Sequence, residues 1–157
     1  MGRRKTPPLG RCALQDADKH DDVPGEGHGY INMFDTAGTF IRRVAEKGQL
    51  NSPWGLALAP DDFGKFSGDL LVGNFGDGRI HAFEPDKVTG RGEFHHRGPL
   101  HSAAGPPIEI DGLWGLSFGN GANARPKNVL FFTAGPFHEQ HGLFGKLTAV
   151  PPPGRQR

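Results

Sequence analysis

Short runs of alternating hydrophobic and small or polar residues fill the chain between residues 51 and 83. The first run, WGLALA at 54–59, alternates small residues with Trp54 and two leucines. Two further runs, DLLVGN at 69–74 and RIHAFE at 79–84, are joined by a glycine-rich turn. A period of two between turn residues is typical of short β-strands. The pattern therefore predicts several short strands, with small side chains on one face of the first.

The same pattern recurs along the chain at intervals of about fifty to sixty residues. DGLWGLSFGN at 111–120 and NVLFFTAG at 128–135 partly repeat it, and Trp54 and Trp114 are 60 positions apart. Upstream, GYINMFD at 29–35 matches GRIHAFE. Several short strands repeated at this interval are typical of a propeller blade. The sequence therefore predicts an all-β fold, an incomplete β-propeller of about two and a half four-stranded antiparallel blades.

The predicted strands follow from these repeats and from the turns between them. They are residues 30–35 and 39–44 in the first blade, 54–59, 69–74, 79–84 and 93–97 in the second, and 113–119, 129–133 and 143–150 in the third. Complete propellers have roughly four to eight blades. We therefore expect the chain to be a fragment of a longer propeller, or to self-associate through its open blade edges.

Composition divides the chain into three parts. Residues 1–14 are predicted to be a disordered leader, residues 15–150 the partial propeller, and residues 151–157 a disordered proline-rich tail. No apolar segment follows the basic start, so it is not a secretory signal. Lys and Arg number 18 against 17 Asp and Glu, and the net charge of +1 predicts no nucleic-acid partner. No apolar run is long enough to predict a membrane span.

The segment LNSPWGLALAP, followed by GDLLVGNFGDGRIHAF, resembles the NHL repeat. The matching positions are Asn51, Pro53, Gly55, Ala57, Leu70, Val72, Arg79, Ile80 and Phe83, whereas Asn74 replaces the usual Asp. Over residues 15–150, the segments QDADKHDD, IDGLWGLSFGNG and FTAGP-x-x-E-x-HGLFGKLTA resemble the C-terminal part of an uncharacterised bacterial family of predicted six-bladed, NHL-like β-propellers. The resemblance implies an exported protein, but residues 1–14 do not match the family and carry no export signal. It also implies an N-terminally truncated propeller.

Loops at one end of the predicted blades hold most of the candidate binding residues. In a four-stranded antiparallel blade, the turn between the second and third strands lies at the same end as the connection into the first strand. The insertions at 15–29, 74–78 and 134–142 and the starts of the first strands therefore share one face. The candidate residues of this face are Trp54, Trp114, Asn74, Asp77, Asp111, His138, Glu139 and His141. The alternatives are core packing for the two indoles and an Asx-type turn for Asn74 with Asp77.

The loop at residues 15–29, which we call the acidic loop, carries Asp16, Asp18 and Asp22. Alternating carboxylates in a loop can present several oxygens to Ca²⁺. The glycine and the twelfth-position glutamate of an EF-hand are absent, and a solvated loop is the alternative interpretation. We therefore expect no cofactor, with calcium at these three aspartates as the alternative.

The HEQH segment at 138–141 does not fit a zinc peptidase. HExxH sites place two histidines one helical turn apart, whereas His138 and His141 are three apart and stand between Pro136 and Gly142. The other histidines are expected to be solvated and incidental: His28, His81, His95, His96 and His101.

Two function classes remain open, and no residue set establishes an enzyme. The leading one is a non-enzymatic interaction module whose partner is a protein, a glycan or a small molecule. The alternative is a metal-dependent hydrolase that resembles the gluconolactonase-like propellers, in which two of the metal ligands directly precede the glycine of a first strand. Trp54 and Trp114 occupy those positions here, and indole offers only an N–H donor. Asp111 is the nearest alternative carboxylate, so the sequence favours the interaction module.

Overall fold

The computed structural model describes residues 9–19, 22–87, 92–123 and 126–150 of the 157-residue chain. Two compact units are present, Met1–Pro53 and Trp54–Arg157. Regular structure in the described residues consists of β-strands and one 3-10 turn, so the all-β class is confirmed. None of the described segments is a helix of the length and hydrophobicity that crossing a membrane requires.

The first unit contains a three-stranded antiparallel sheet in the order β1-β2-β3. Its strands are β1 (Leu9–Cys12), β2 (Tyr30–Phe34) and β3 (Phe40–Glu46). The β2–β3 turn is an Asx turn, because Asp35 Oδ1 accepts hydrogen bonds from the amides of Ala37 and Thr39, both at 2.8 Å. Ile31 of β2 and Val44 of β3 are buried.

β1 lies within residues 1–14, for which the sequence predicts a disordered leader. Its four residues pair with β2, and the Arg11 guanidinium donates a hydrogen bond to the carbonyl oxygen of Pro53 at 3.3 Å. A short strand held by partners distant in the sequence carries no alternation signal of its own. The prediction of disorder is therefore wrong for β1, while residues 1–8 and the predicted tail 151–157 lie outside the described residues.

The second unit begins with a four-stranded antiparallel sheet in the order β4-β5-β6-β7. Its strands are β4 (Pro53–Leu58), β5 (Leu70–Asn74), β6 (Ile80–Pro85) and β7 (Phe94–Pro99), with a 3-10 turn at Gly64–Phe66. The alternation predicted for the first strand is present, since Ala57 is buried while Trp54 and Leu58 are exposed.

A three-stranded antiparallel sheet completes this unit, in the order β10-β9-β8. Its strands are β8 (Leu113–Phe118), β9 (Val129–Ala134) and β10 (Leu143–Thr148). The ends of β2 to β10 all lie within two residues of the ends predicted from the sequence.

An apolar core lies between the two sheets of the second unit. Leu71 and Ile80 from the first sheet pack with Leu113 and Leu130 from the second, and all four are fully buried. Burial of each such side chain contributes about 1.5–3 kcal/mol. Hydrophobic burial therefore holds the two sheets in a fixed arrangement.

Two glycines bring the backbones of the sheets close together. A Cβ added at Gly55 would lie 2.8 Å from the carbonyl oxygen of Trp114, and one added at Gly73 would lie 2.9 Å from the Leu113 side chain. Contacts this short leave no room for a side chain. We call this contact of β4 and β5 with β8 the glycine seam, and it places the start of β4 beside the start of β8.

Candidate functional site

A left-handed turn follows β9 in the second unit. Phe137, His138 and Glu139 have φ angles of 57°, 53° and 64°, so three consecutive non-glycine residues are left-handed. The Glu139 amide donates to the Gly135 carbonyl at 3.1 Å, which closes the turn. This backbone costs roughly 1–2 kcal/mol per residue. It also confirms that HEQH is not in a right-handed helix, as the sequence predicts.

Side chains from two segments hold this turn in place. The Phe137 amide donates to Asp111 Oδ2 at 2.9 Å, and the indole Nε1 of Trp114 donates to Glu139 Oε1 at 3.3 Å. The indole lies against Gly135, where an added Cβ would be 2.6 Å from the ring. The structure therefore brings together three of the candidate residues: Asp111, Trp114 and Glu139.

Two rings of this arrangement, those of Phe137 and His141, are exposed. The Phe137 side chain is 66% exposed, and its ring meets the His141 imidazole edge-on at 5.6 Å between centroids. Trp114 is half-buried. We call the set Asp111, Trp114 and residues 135–142 the indole–turn surface. Its two carboxylates position the backbone and the indole, and the rings of Phe137 and His141 are exposed.

The turn between β5 and β6 lies beside the same surface. The Ile110 amide donates to the Gly78 carbonyl at 2.9 Å, and the Gly135 amide donates to the Gly112 carbonyl at 2.8 Å. Residues 110–112 therefore link the turn at 74–78 to the left-handed turn. The two connections predicted to share one end of the second unit lie next to each other.

Asn74 and Asp77 form a turn rather than an open ligand pair. Asp77 Oδ1 accepts a hydrogen bond from the Arg79 amide at 3.0 Å, and Asn74 Nδ2 lies 3.5 Å from Asp77 Oδ2. Asn74 is fully buried. This geometry corresponds to the Asx-type turn considered as the alternative from the sequence.

The start of β4 places Trp54 close to the indole–turn surface. The neighbouring Gly55 contacts the backbone of Trp114 through the glycine seam. Trp54 is 42% exposed. Both tryptophans therefore stand at the same end of the two sheets.

The aspartates of the acidic loop, in the first unit, have separate surroundings. Asp22 Oδ2 lies 3.6 Å from Arg11 Nη1, and residues 15 and 22 form an isolated bridge. The carbonyl of Asp16 accepts a hydrogen bond from the Lys19 amide at 3.1 Å, and Asp18 is exposed. Calcium binding at Asp16, Asp18 and Asp22 remains a prediction. The Asp22 carboxylate already pairs with the Arg11 guanidinium.

One other group of side chains has metal-compatible spacing. Ligand atoms of Asp86, Glu93 and His95 lie within 4.8 Å of one another, and sequence reasoning did not select this group. Asp86 Oδ2 is 3.8 Å from His95 Nε2, which makes the group an ion pair when the imidazole is protonated. It stands between β6 and β7, away from the first-strand positions that a gluconolactonase-like site uses.

The expectation that His81 is solvated is wrong. His81 is 5% exposed, and its Nδ1 lies 2.9 Å from Nε2 of His96. Burial, and then the nearby His96, lower the pKa of His81 to about 4. Burial also lowers the pKa of His96. In β6 His81 lies between Ile80 and Ala82, so its side chain points to the opposite face of the sheet from theirs. Its place inside this mostly apolar strand was the signal in the sequence for its burial.

Comparison with known proteins shows similarity to three uncharacterized proteins of Acanthamoeba polyphaga mimivirus. Protein R648 is 41% identical over 125 residues, L690 is 38% identical over 126, and R640 is 38% identical over 108. The matches cover 80%, 80% and 69% of this chain, but 28%, 30% and 18% of those proteins. No family model matches the chain, and no solved structure matches it significantly. The chain thus spans less than a third of the length of the curated relatives it matches.

Proposed function

We propose that the chain is part of an NHL-like β-propeller and acts as a non-enzymatic interaction module. Its ligand would bind at the indole–turn surface. The observation that carries the proposal is the left-handed turn, which holds the Phe137 ring 66% exposed and whose Glu139 accepts the indole hydrogen bond of Trp114. Strained backbone persists where surrounding contacts fix it, and such sites are concentrated at ligand-binding positions.

The propeller assignment rests on repetition within the second unit. Its two sheets share a sequence repeat, both are antiparallel, and they pack face to face around a common apolar core. The first two strands of one sheet approach the first strand of the other through the glycine seam. Sheets stacked by their faces in this order are typical of neighbouring blades. The greater length of the viral relatives is compatible with further blades in those proteins.

Binding is favoured over catalysis by the use of the carboxylates. Asp111 accepts a backbone hydrogen bond and Glu139 accepts the indole hydrogen bond, so both serve to position the surface. Exposed aromatic side chains supply large contact areas with few rotatable bonds, which favours recognition of protein or glycan surfaces. The ligand class we propose is therefore one with an apolar or ring-shaped face that stacks on Trp114 and Phe137.

Intrinsic fluorescence gives a direct test, because the two tryptophans of the chain are Trp54 and Trp114. Emission should be recorded while oligosaccharides and peptides identified on glycan and peptide arrays are added. The single-tryptophan variants Trp54→Phe and Trp114→Phe assign any change to one indole. We expect the ligand to alter Trp114 emission.

The variant Phe137→Ala should weaken this binding by about tenfold or more, as expected for an aromatic anchor. Phe40→Ala is the matched control, since Phe40 is also an exposed phenylalanine but lies in the first unit. Equal affinity of wild type and Phe137→Ala for every ligand found, with unchanged Trp114 emission, would refute the indole–turn surface as the binding site.

A further inference from the structure

A groove opens between the two sheets of the second unit, on the side away from the glycine seam. Its volume is about 620 Å³, within the range typical of ligand sites. The apolar part of its wall includes Phe66, Leu100, Ile108 and Leu147. Five consecutive residues, 146–150, also line it. Side chains of successive strand residues point to opposite faces, so a wall of this kind runs along the edge of the strand.

The strand at this edge is β10, whose ladder partner in the described residues is β9. In the neighbouring sheet the corresponding third strand, β6, pairs with β5 on one side and with β7 on the other. The position equivalent to β7 is therefore open beside β10 in the described part of the chain. Backbone donors and acceptors on such an edge form a template for another strand.

Charge around the groove has one sign. Lys65 contributes to its wall, Lys146 belongs to the strand edge that borders it, and none of the lining residues is an aspartate or a glutamate. The Lys65 ammonium stands 5.1 Å from the centre of the Phe66 ring, which keeps one positive charge at the apolar wall. The Ser102 hydroxyl, in the same wall, is buried and has no hydrogen-bond partner in the described residues.

The two faces of β10 differ, and this difference indicates which side chains a strand bound beside β10 would carry. Leu147 pairs with Leu130 and faces the core, whereas Lys146 pairs with Phe131 on the opposite face. A strand added to β10 would place alternate side chains on these two faces. Apolar side chains would enter the groove beside Leu147, and carboxylates on the other face would meet Lys146.

We propose that this edge groove binds an extended segment of another polypeptide, in which apolar residues alternate with acidic ones. The segment adds to β10 by main-chain hydrogen bonds, while its side chains provide specificity. A second copy of the chain is disfavoured, because its β10 carries Lys146 and no carboxylate that could pair with the Lys146 of the first copy. The site is separate from the indole–turn surface, which lies at the other end of β10.

The probe is the labelled peptide acetyl-Glu-Val-Glu-Leu-Glu-Val-Glu-amide, and its fluorescence anisotropy is followed as the full chain is added. We expect saturable binding. Methylation of alternate backbone amides along the hydrogen-bonding edge should weaken it by more than about tenfold, since several ladder bonds are lost. A peptide with Lys in place of Glu should bind more weakly by a similar factor.

The variant Lys146→Glu should reduce affinity for the acidic peptide and raise it for the basic one. Lys127→Glu is the control, because Lys127 is exposed and does not line the groove. Thermal unfolding of both variants shows whether they fold. Trp114→Phe should bind the peptide as well as wild type does, and this result would distinguish binding in the groove from binding at the indole–turn surface.

Three results would overturn the proposal. Equal binding of the N-methylated peptide would show that strand addition is not used. Displacement of the peptide by laurate at similar affinity in both the wild type and Lys146→Glu would identify the groove as a general apolar site. A dimer in sedimentation that the peptide does not dissociate would identify a second copy as the occupant of the edge.

Discussion

Acidification should weaken the fold through one buried imidazole. His81 is 5% exposed and contacts His96 at 2.9 Å between ring nitrogens. Burial and the His96 charge lower the pKa of His81 from 6.5 to about 4, and Arg79 acts in the same direction while Asp77 opposes it. The neutral imidazole is therefore the form that the folded chain accommodates.

The direction follows from the two pKa values of His81. Below pH 6.5 the unfolded chain takes up a proton that the folded chain does not bind until about pH 4. The contribution to stability is therefore fully present above pH 6.5, falls as the pH drops from 6.5 to about 4, and changes no further below that. A shift of about 2.5 pH units corresponds to roughly 3 kcal/mol of unfolding free energy across this window.

Urea unfolding at a series of pH values measures this difference directly. We compare the wild type with His81→Leu, which removes the titrating group and keeps a similar volume. Between pH 6.5 and 4 the wild type should lose about 2–3 kcal/mol more than the variant. His95→Gln is the control, because the His95 side chain is 63% exposed. Parallel pH profiles for the wild type and His81→Leu would refute the assignment.

Three further predictions concern packing, backbone strain and metal binding. Gly55→Ala should lower the free energy of unfolding by about 1–3 kcal/mol, because the new Cβ overlaps atoms of the glycine seam. Gly142→Ala should leave the free energy of unfolding unchanged, because no atom lies within 4 Å of the added Cβ. Equal urea midpoints for the two variants would contradict close contact at the seam. His138→Gly should raise the free energy of unfolding by about 1 kcal/mol, because glycine adopts the left-handed backbone without steric cost. Thr148→Gly in β10 should lower the free energy of unfolding. If calorimetry shows that His138→Gly is destabilised, the backbone at this position is not strained. EDTA should leave the melting temperature unchanged, and a drop of several degrees would reveal a metal in the acidic loop or elsewhere.

Much of the second unit could be predicted from the sequence because its signals are local. Alternation in 54–59 identifies β4, and the glycine-rich turn after Asn74 fixes the β5–β6 hairpin. The repeat then extends the assignment to β8 and β9. Periodicity and turn chemistry are properties of neighbouring residues, so they are readable without the fold.

The left-handed turn and β1 depend on contacts across the chain. Phe137 and Glu139 are residue types that rarely adopt positive φ, and Asp111 and Trp114 hold them there from more than twenty residues away. β1 likewise pairs with a strand that begins eighteen residues after it ends. Such features arise from tertiary contacts that override local propensity.

The two sheets of the second unit touch along the glycine seam and leave a groove beside β10. At the glycine seam their backbones are in van der Waals contact, while beside β10 a groove of about 620 Å³ separates them. Because no side chain separates the two backbones at the seam, the spacing of the sheets there is set by the main chain alone. A side chain introduced at Gly55 or Gly73 would therefore have to push the two sheets apart.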